Sequence, residues 1–367
     1  MLKVYNYAEF VERANSCDEI LCIGTGKRLN RLESLFTDTQ VLKKIKWVAD
    51  NNQDKQGTKI QISDKEYLIK SVGEVRPELS KNALILITCA MYDDIITQLE
   101  AYDNLRSLEW VCLSHIIAVE DEKEALSKEL PNDIQQRGEQ LIPKKIHYFW
   151  FGGKPLPERY KAWMDSWHKF CPDYEIIQWN ESNYDVTKVK YMRQAYENKK
   201  WGFVPDYARL DVIYNYGGIY LDTDVELIKG FDDLLCQRGF AGFETGNNVN
   251  FGQGFGAVKG LEILKEMMLD YEKQQFVNED GSLNLLPSPF YQTRILEKNG
   301  LIRNGEYQVI KGMTIYPEKM LCGKSMSSMR VRTTSYTHSI HHFDGSWANE
   351  KDREHNRRLG EIMSGVY

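Results

Sequence analysis

The sequence predicts an α/β protein of two domains, and three observations lead there. Residues 1 to about 140 alternate short apolar runs with helix-period segments, the grammar of a Rossmann-like α/β domain. A charged stretch after residue 119, EDEKEALSKELPNDIQQRGEQ, is punctuated by Pro131 and Pro143 and reads as a charged helix and linker. Beyond it the chain turns aromatic, with six of its eight tryptophans after residue 140. The boundary is therefore expected near residue 140, with residues 1–140 and 141–367 as the two domains. A chain of 367 residues with 42% hydrophobic content is large enough for two cores.

In the first half, EILCIG predicts a strand that runs into Gly24-Thr25-Gly26, and KRLNRLESLF a helix after it. KIKWVADNN predicts a second strand ending at Asp50, about where a dinucleotide fold keeps its ribose-binding acid. ALILIT and DDIITQLEAY continue as strand and helix. Leu29 stands where G-x-G-x-x-G requires its third glycine, so a tight first turn without a nucleotide weighs evenly against a binding site. This half resembles the small Rossmann-like modules appended to bacterial polysaccharide-synthesis enzymes.

Composition excludes some functions. Lys plus Arg number 47 against 53 Asp plus Glu, a net charge of -6 that argues against a nucleic-acid binder. Seven cysteines without a C-x-x-C pair suggest neither a disulfide framework nor a zinc knuckle, and point to a reducing compartment. With no signal-like N-terminus and no run of about 20 apolar residues, the expected location is cytoplasmic.

The second half carries the chemistry. VPDYARLDVIYNYGG reads as a helix with Pro205 in its first turn, an apolar stripe of Tyr207, Leu210 and Tyr214, and Gly217-Gly218 as its stop. IYL is then a short buried strand, whose period of two points Asp222 and Asp224 the same way unless a turn intervenes. Adjacent carboxylates repel, so such a pair at a strand end suits a hard divalent cation or an acid/base pair. An EF-hand loop is excluded because Glu226 is followed by Leu227 where a glycine is needed. YLDTDV matches the D-x-D-x-[T/V] phosphatases locally but lacks their late G-D-x-x-x-D. The remaining reading is the D-x-D of sugar transferases.

FVPDYARLDVIYNYGGIYLDTDVEL, with IPKKIHYFWFGGKPLPERY and CPDYEIIQWNESNYD before it and HSIHHFDGSW after, resembles the D-x-D sugar transferases of glycosyltransferase family 32. That family includes capsular-polysaccharide enzymes and is related to the large glucosylating toxins. The resemblance covers about 200 residues. It implies a GT-A fold, a nucleotide-sugar donor (UDP-sugar favoured, GDP-sugar possible), Mn²⁺ or Mg²⁺, retention of configuration, and a glycan or lipid-linked glycan acceptor at the inner face of the membrane. By resemblance, Asp222 lies near the donor ribose and metal and Asp224 binds the metal directly. Asp206 takes sugar hydroxyls and Arg209 the sugar or diphosphate, although an N-cap and surface ion pair also explain them. Tyr220 closes on the donor or serves as framework. Trp150 stacks on the base or packs in the core, and Trp163 and Trp167 are assigned to the core. Ser346 and Trp347 reach the phosphates. His341 completes the metal shell, with His342 as the alternative because neighbours on a strand face opposite ways.

The Gly- and Asn-rich loop GFETGNNVNFGQGFG suggests Asn250 and Gln253 for sugar or acceptor contacts, or an ordinary mobile loop. In LPSPFYQT, Ser288 replaces the glycine of a Gly-Pro turn common in that family. The function expected is a metal-dependent sugar transferase of surface-polysaccharide synthesis, with a D-x-D phosphatase and a non-catalytic sugar-binding module as alternatives.

Overall fold

The computed structural model describes residues 1–37, 39–131, 138–345 and 350–364. Two compact units emerge. The first comprises Met1–Lys123, Ser327–Met329 and the stretch beginning at Glu354; the second comprises Glu124–Met326 and Arg330–Arg353.

The first unit is a seven-stranded sheet in the order Leu2–Lys3, Glu109–Cys112, Leu84–Ile87, Ile20–Ile23, Ile45–Ala49, Lys65–Lys70, Lys59–Ile62, parallel except for the last pair. Its central strands are buried on both faces. Ile20 and Cys22 enter one core and Leu21 and Ile23 the other, as a period of two requires in a sheet covered on both sides. Gly24 has φ +107°, and a Cβ there would stand 3.1 Å from that of Cys89, so the first turn needs glycine. Asp50 closes the turn from inside. Its carboxylate accepts the Thr25 amide at 2.8 Å and the Asn52 amide at 2.9 Å, together with the Thr25 hydroxyl. The helix predicted from Lys27 begins at Arg31. The C-terminal helix Glu350–Ser364 contributes Leu359 and Met363 to an apolar cluster with Ala118 and Val119, so this unit draws on both ends of the chain.

The second unit is built on a mixed sheet in the order Gln308–Ile310, Met313–Tyr316, Gly239–Phe243, Phe255–Ala257, Gly218–Tyr220, Lys145–Phe149, Glu175–Trp179, with Val249–Asn250 pairing Gly239–Phe243. Gly218–Tyr220, Lys145–Phe149 and Glu175–Trp179 are parallel neighbours, and Phe255–Ala257 runs against Gly218–Tyr220. A separate ribbon pairs Val225–Leu227 with Ser339–His341, placing Val225 opposite His341. The helix Pro205–Tyr216 is buried from Pro205 through Ile213, more than the single apolar stripe expected. Asp206 and Arg209 are only 3% exposed each, which rules out a surface ion pair. All seven cysteines are free. Among the described residues, no helix is long and apolar enough to cross a membrane.

Candidate active site

The strand Gly218–Tyr220 ends one residue short of the first carboxylate, and a turn at Thr223-Asp224 follows, closed by the Val225 amide donating to the Asp222 carbonyl at 3.1 Å. The turn, rather than strand alternation, sets the direction of the two acids. Through it the carboxylates of Asp222 and Asp224 converge on the His341 imidazole, one ligand atom from each lying within 4.8 Å of the others. His341 Nε2 stands 3.3 Å from Asp224 Oδ1, while its Nδ1 is buried with no partner. His342 points elsewhere: its Nε2 meets Glu226 Oε2 at 2.8 Å and its ring stacks on Trp163, centroids 4.2 Å apart. Strand alternation thus separates the two histidines.

Burial alone raises the Asp224 pKa, but His341 and the Asp344 amide, which donates to Oδ2 at 3.0 Å, outweigh it and hold the carboxyl at about 2. Burial likewise lowers the His341 pKa, and the Asp224 carboxylate more than offsets this and raises it. Asp222, Asp224 and His341 would be the residues to hold a divalent cation, whose charge would offset that of the paired acids.

Arg209 ties the helix to the D-x-D turn. Its Nη2 lies 3.2 Å from Asp206 Oδ1 and 3.5 Å from Asp222 Oδ1, its Nε donates to the Pro205 carbonyl at 3.0 Å, and its guanidinium sits 4.8 Å over the Tyr220 ring. The Tyr220 hydroxyl donates to Asp222. Tyr220 is therefore both framework and neighbour of the acids. Burial pushes Asp206 up to about 7, with Arg209 opposing and Asp222 reinforcing the shift. A carboxyl poised near neutrality offers both donor and acceptor to a hydroxyl-bearing ligand.

The other sequence candidates divide. Trp150 follows the strand Lys145–Phe149, is half-buried, donates its indole N–H to the Lys154 carbonyl at 2.6 Å and meets Tyr160 edge-on, outside the apolar cores. Trp167 is core, its Nε1 donating to the Val225 carbonyl at 2.8 Å. Trp163 is not; it is half-buried under His342. Asn250 and Gln253 are structural in their contacts. Asn250 bridges Glu244 Oε2 at 2.8 Å and the Gly252 amide at 2.7 Å, and fully buried Gln253 donates to the Phe243 carbonyl at 2.9 Å. These contacts fasten the loop from within. Ser346 and Trp347 lie outside the described residues.

Four participants carry no sequence signal. Glu244 is buried and pushed up to about 7 by burial, with Asn250 and His341 opposing. Tyr191 donates to Asp206 Oδ2 at 3.3 Å. Lys324 donates to the His342 carbonyl at 2.8 Å; burial lowers its pKa while Asp224 and Asp344 pull it back. Gly252 accepts the Asp222 amide at 3.0 Å and passes too close to the Asp222 carboxylate to carry a side chain. Glu244 and Gly252 lie in the Gly- and Asn-rich loop without standing out there, Tyr191 and Lys324 sit in no motif, and only the fold brings the four to the acids.

Residues 157–241, which contain Asp206, Arg209 and both D-x-D acids, match the family model described as a glycosyltransferase sugar-binding region containing a DXD motif. Inositol phosphoceramide mannosyltransferase 1 of Schizosaccharomyces pombe is 30% identical over 128 residues, covering 30% of this chain and 37% of that protein. Mannosyl phosphorylinositol ceramide synthase SUR1 of Saccharomyces cerevisiae is 31% identical over 122 residues, covering 32% of each. The chain thus spans about a third of the length of these relatives. Among solved structures, the PaToxG glycosyltransferase aligns over 50% of this chain and 76% of its own, with TM-score 0.34 and 19% identity. The segment that supplies the buried arginine and both acids is therefore similar to the DXD sugar-binding region of glycosyltransferases.

Proposed function

We propose that the chain is a metal-dependent glycosyltransferase of the GT-A kind, transferring a sugar with retention from a nucleotide donor to a glycan or lipid-linked acceptor. The observation that carries this reading is the convergence of Asp222, Asp224 and His341 beside a buried arginine, within a segment similar to DXD sugar-binding regions. The donor set fits a divalent cation: two carboxylates and an imidazole, with a like-charge pair that needs a counter-ion. The imidazole suits Mn²⁺ better than Mg²⁺. When bound, the ion neutralises the departing nucleoside diphosphate.

The chain's own residues do the rest. Arg209, fixed by Asp206 and the Pro205 carbonyl, presents a cation that needs no reorganisation as charge develops on the leaving group. Asp206 orients sugar hydroxyls, and the half-buried face of Trp150 is suited to a nucleobase. The relatives' names add mannosyl transfer and an inositol phosphoceramide acceptor to the options. GDP-mannose therefore joins the UDP-sugars in the test, and a lipid acceptor at a membrane surface joins the polysaccharides.

The test is incubation with UDP- and GDP-sugars, with and without Mn²⁺, following release of nucleoside diphosphate. Metal-dependent release that disappears in Asp224→Asn, with the fold retained, is expected. Release of inorganic phosphate instead selects the phosphatase reading, and full activity of Asp224→Asn removes the D-x-D assignment.

A further inference from the structure

We propose that the second unit carries a separate carbohydrate-binding site, taking a neutral pyranose ring of a glycan, between the last turn of the Pro205–Tyr216 helix and the loop after the strand Glu175–Trp179. A cavity of about 520 Å³ opens there, lined by Trp179, Tyr184, Lys188, Asp211, Tyr216 and Lys259 among others. That volume lies within the range of roughly 300–1,000 Å³ that small-molecule sites occupy.

The loop after the strand Glu175–Trp179 leaves the sheet at the Asp222 end, that strand being parallel to Gly218–Tyr220, but the cavity is lined by none of the D-x-D cluster's residues and lies along a different part of the helix. The helix runs back against the strand Gly218–Tyr220 that follows it, so its first turn, with Asp206, lies at the Asp222 end and its last turn at the opposite end. Ten residues of helix between Asp206 and Tyr216 amount to about 15 Å. Asp211, midway along the helix, and Asn215, in its last turn, share the helix face opposite Asp206 and Arg209, and transfer at the D-x-D site makes no use of them.

The lining suits a sugar. Trp179 and Tyr216 form one aromatic wall, centroids 5.5 Å apart and planes inclined at 36°, onto which the C–H face of a pyranose can lie. Tyr216 is 55% exposed, a large aromatic left open at the rim. Below it, Asp211 is rigidly held, accepting from the Tyr184 hydroxyl at 2.8 Å, Lys188 Nζ at 2.5 Å and Asn215 Nδ2 at 2.8 Å. That leaves the Asn215 carbonyl oxygen, and Lys259, which makes no ion pair among the described residues, to face hydroxyls.

Charge decides between a sugar and a phosphorylated ligand. Lys188 and Lys259 are balanced by Asp185 and Asp211, and the helix presents its C-terminal end, whose carbonyls carry partial negative charge, toward the cavity. A phosphate is disfavoured and an uncharged polyol is not. This inference goes beyond the proposed transfer, which requires no second sugar site.

The experiment titrates the full chain with mannotriose, maltotriose and cellotriose, and with mannose 6-phosphate and tri-galacturonate as charged comparators, by calorimetry. At least one neutral trisaccharide is expected to bind. Tyr216→Ala should weaken it tenfold or more, Tyr216→Phe should stay within threefold, and Asp224→Asn should leave it unchanged. Because Tyr216 is largely exposed, its alanine variant keeps the fold, and its nucleoside diphosphate release should match the parent. The proposal is overturned if no neutral trisaccharide binds, if Tyr216→Ala binds as the parent does, if Asp224→Asn abolishes binding, or if the charged comparators bind more tightly. Failure of the transferase reading is distinguishable: trisaccharide binding then persists while no nucleotide sugar is cleaved.

Discussion

Gly252→Ala tests the geometry of the D-x-D cluster with one methyl group. Gly252 does not occupy the left-handed region, so an alanine is acceptable to the backbone, and the conflict comes from its Cβ alone. That Cβ falls well inside contact distance of Asp222 Oδ2 and 3.0 Å from Asn250 Oδ1. Restoring an ordinary C···O separation of about 3.3 Å requires the Asp222 carboxylate to move by about 1 Å. It cannot do so freely, because its Oδ1 is held by the Tyr220 hydroxyl and faces Arg209. Loosening those contacts costs about 1–3 kcal/mol, and a displacement of about 1 Å at a reacting centre costs on the order of 100-fold in rate. The expected variant is folded, melts somewhat lower, and releases nucleoside diphosphate about 100-fold more slowly, with a weakened response to Mn²⁺. Activity and metal response within threefold of the parent would refute the reasoning, since Asp222 would then be free to rotate without consequence.

The remaining predictions concern other parts of the second unit. His341→Ala should reduce Mn²⁺-dependent thermal stabilisation by tenfold or more in apparent affinity, whereas His342→Ala should leave it intact; equal effects would contradict their opposed facings. Trp150→Ala should lose roughly 1–3 kcal/mol of donor affinity while Trp150→Phe keeps part of it, and folding stability should barely change because Trp150 lies outside the cores. Asp233 gives a pH prediction. Burial raises it, but His338 at 2.8 Å and Lys229 outweigh burial and hold its pKa at about 2, below its ordinary 3.8. A folded-state pKa below the unfolded one means the stabilisation is complete above about pH 4 and is lost as pH falls toward 2. Discounted for solvent exposure it amounts to about 1 kcal/mol, and urea midpoints of Asp233→Asn measured between pH 5 and 2 should lack that increment of acid sensitivity.

Much of this was legible in the sequence where local chemistry decides. Four apolar residues in ILCI announce a strand buried on both faces, and the Gly217-Gly218 pair marks the helix stop and the strand that leads to Asp222. Asp224 and His341 were legible as a type of ligand set, but their meeting depends on a ribbon between segments far apart in sequence. Where the sequence stops short, the reason is that spacing does not report surroundings. Trp163 and Trp167 share a helical spacing, yet one packs in the core and the other stacks on His342. Nothing in the sequence reveals that Asn250 and Gln253, expected at the sugar or acceptor, also hold Glu244, Gly252 and Phe243. Asp50 stands at the distance expected of a ribose acid, and its hold on the Thr25 turn is likewise visible only in the structure.

The ribbon that brings His341 opposite Val225 joins stretches of chain more than a hundred residues apart. A cation shared by Asp222, Asp224 and His341 would act as a clip across that whole loop. The entropy of closing a loop rises only as the logarithm of its length, yet a crosslink on a long one removes more unfolded conformations than a crosslink on a short one. Metal loading would then be felt far from the cluster, as resistance to proteolysis in the segment between Val225 and Ser339. The ribbon would also be among the last contacts to form during refolding, since its two strands meet only after the intervening chain has been drawn in.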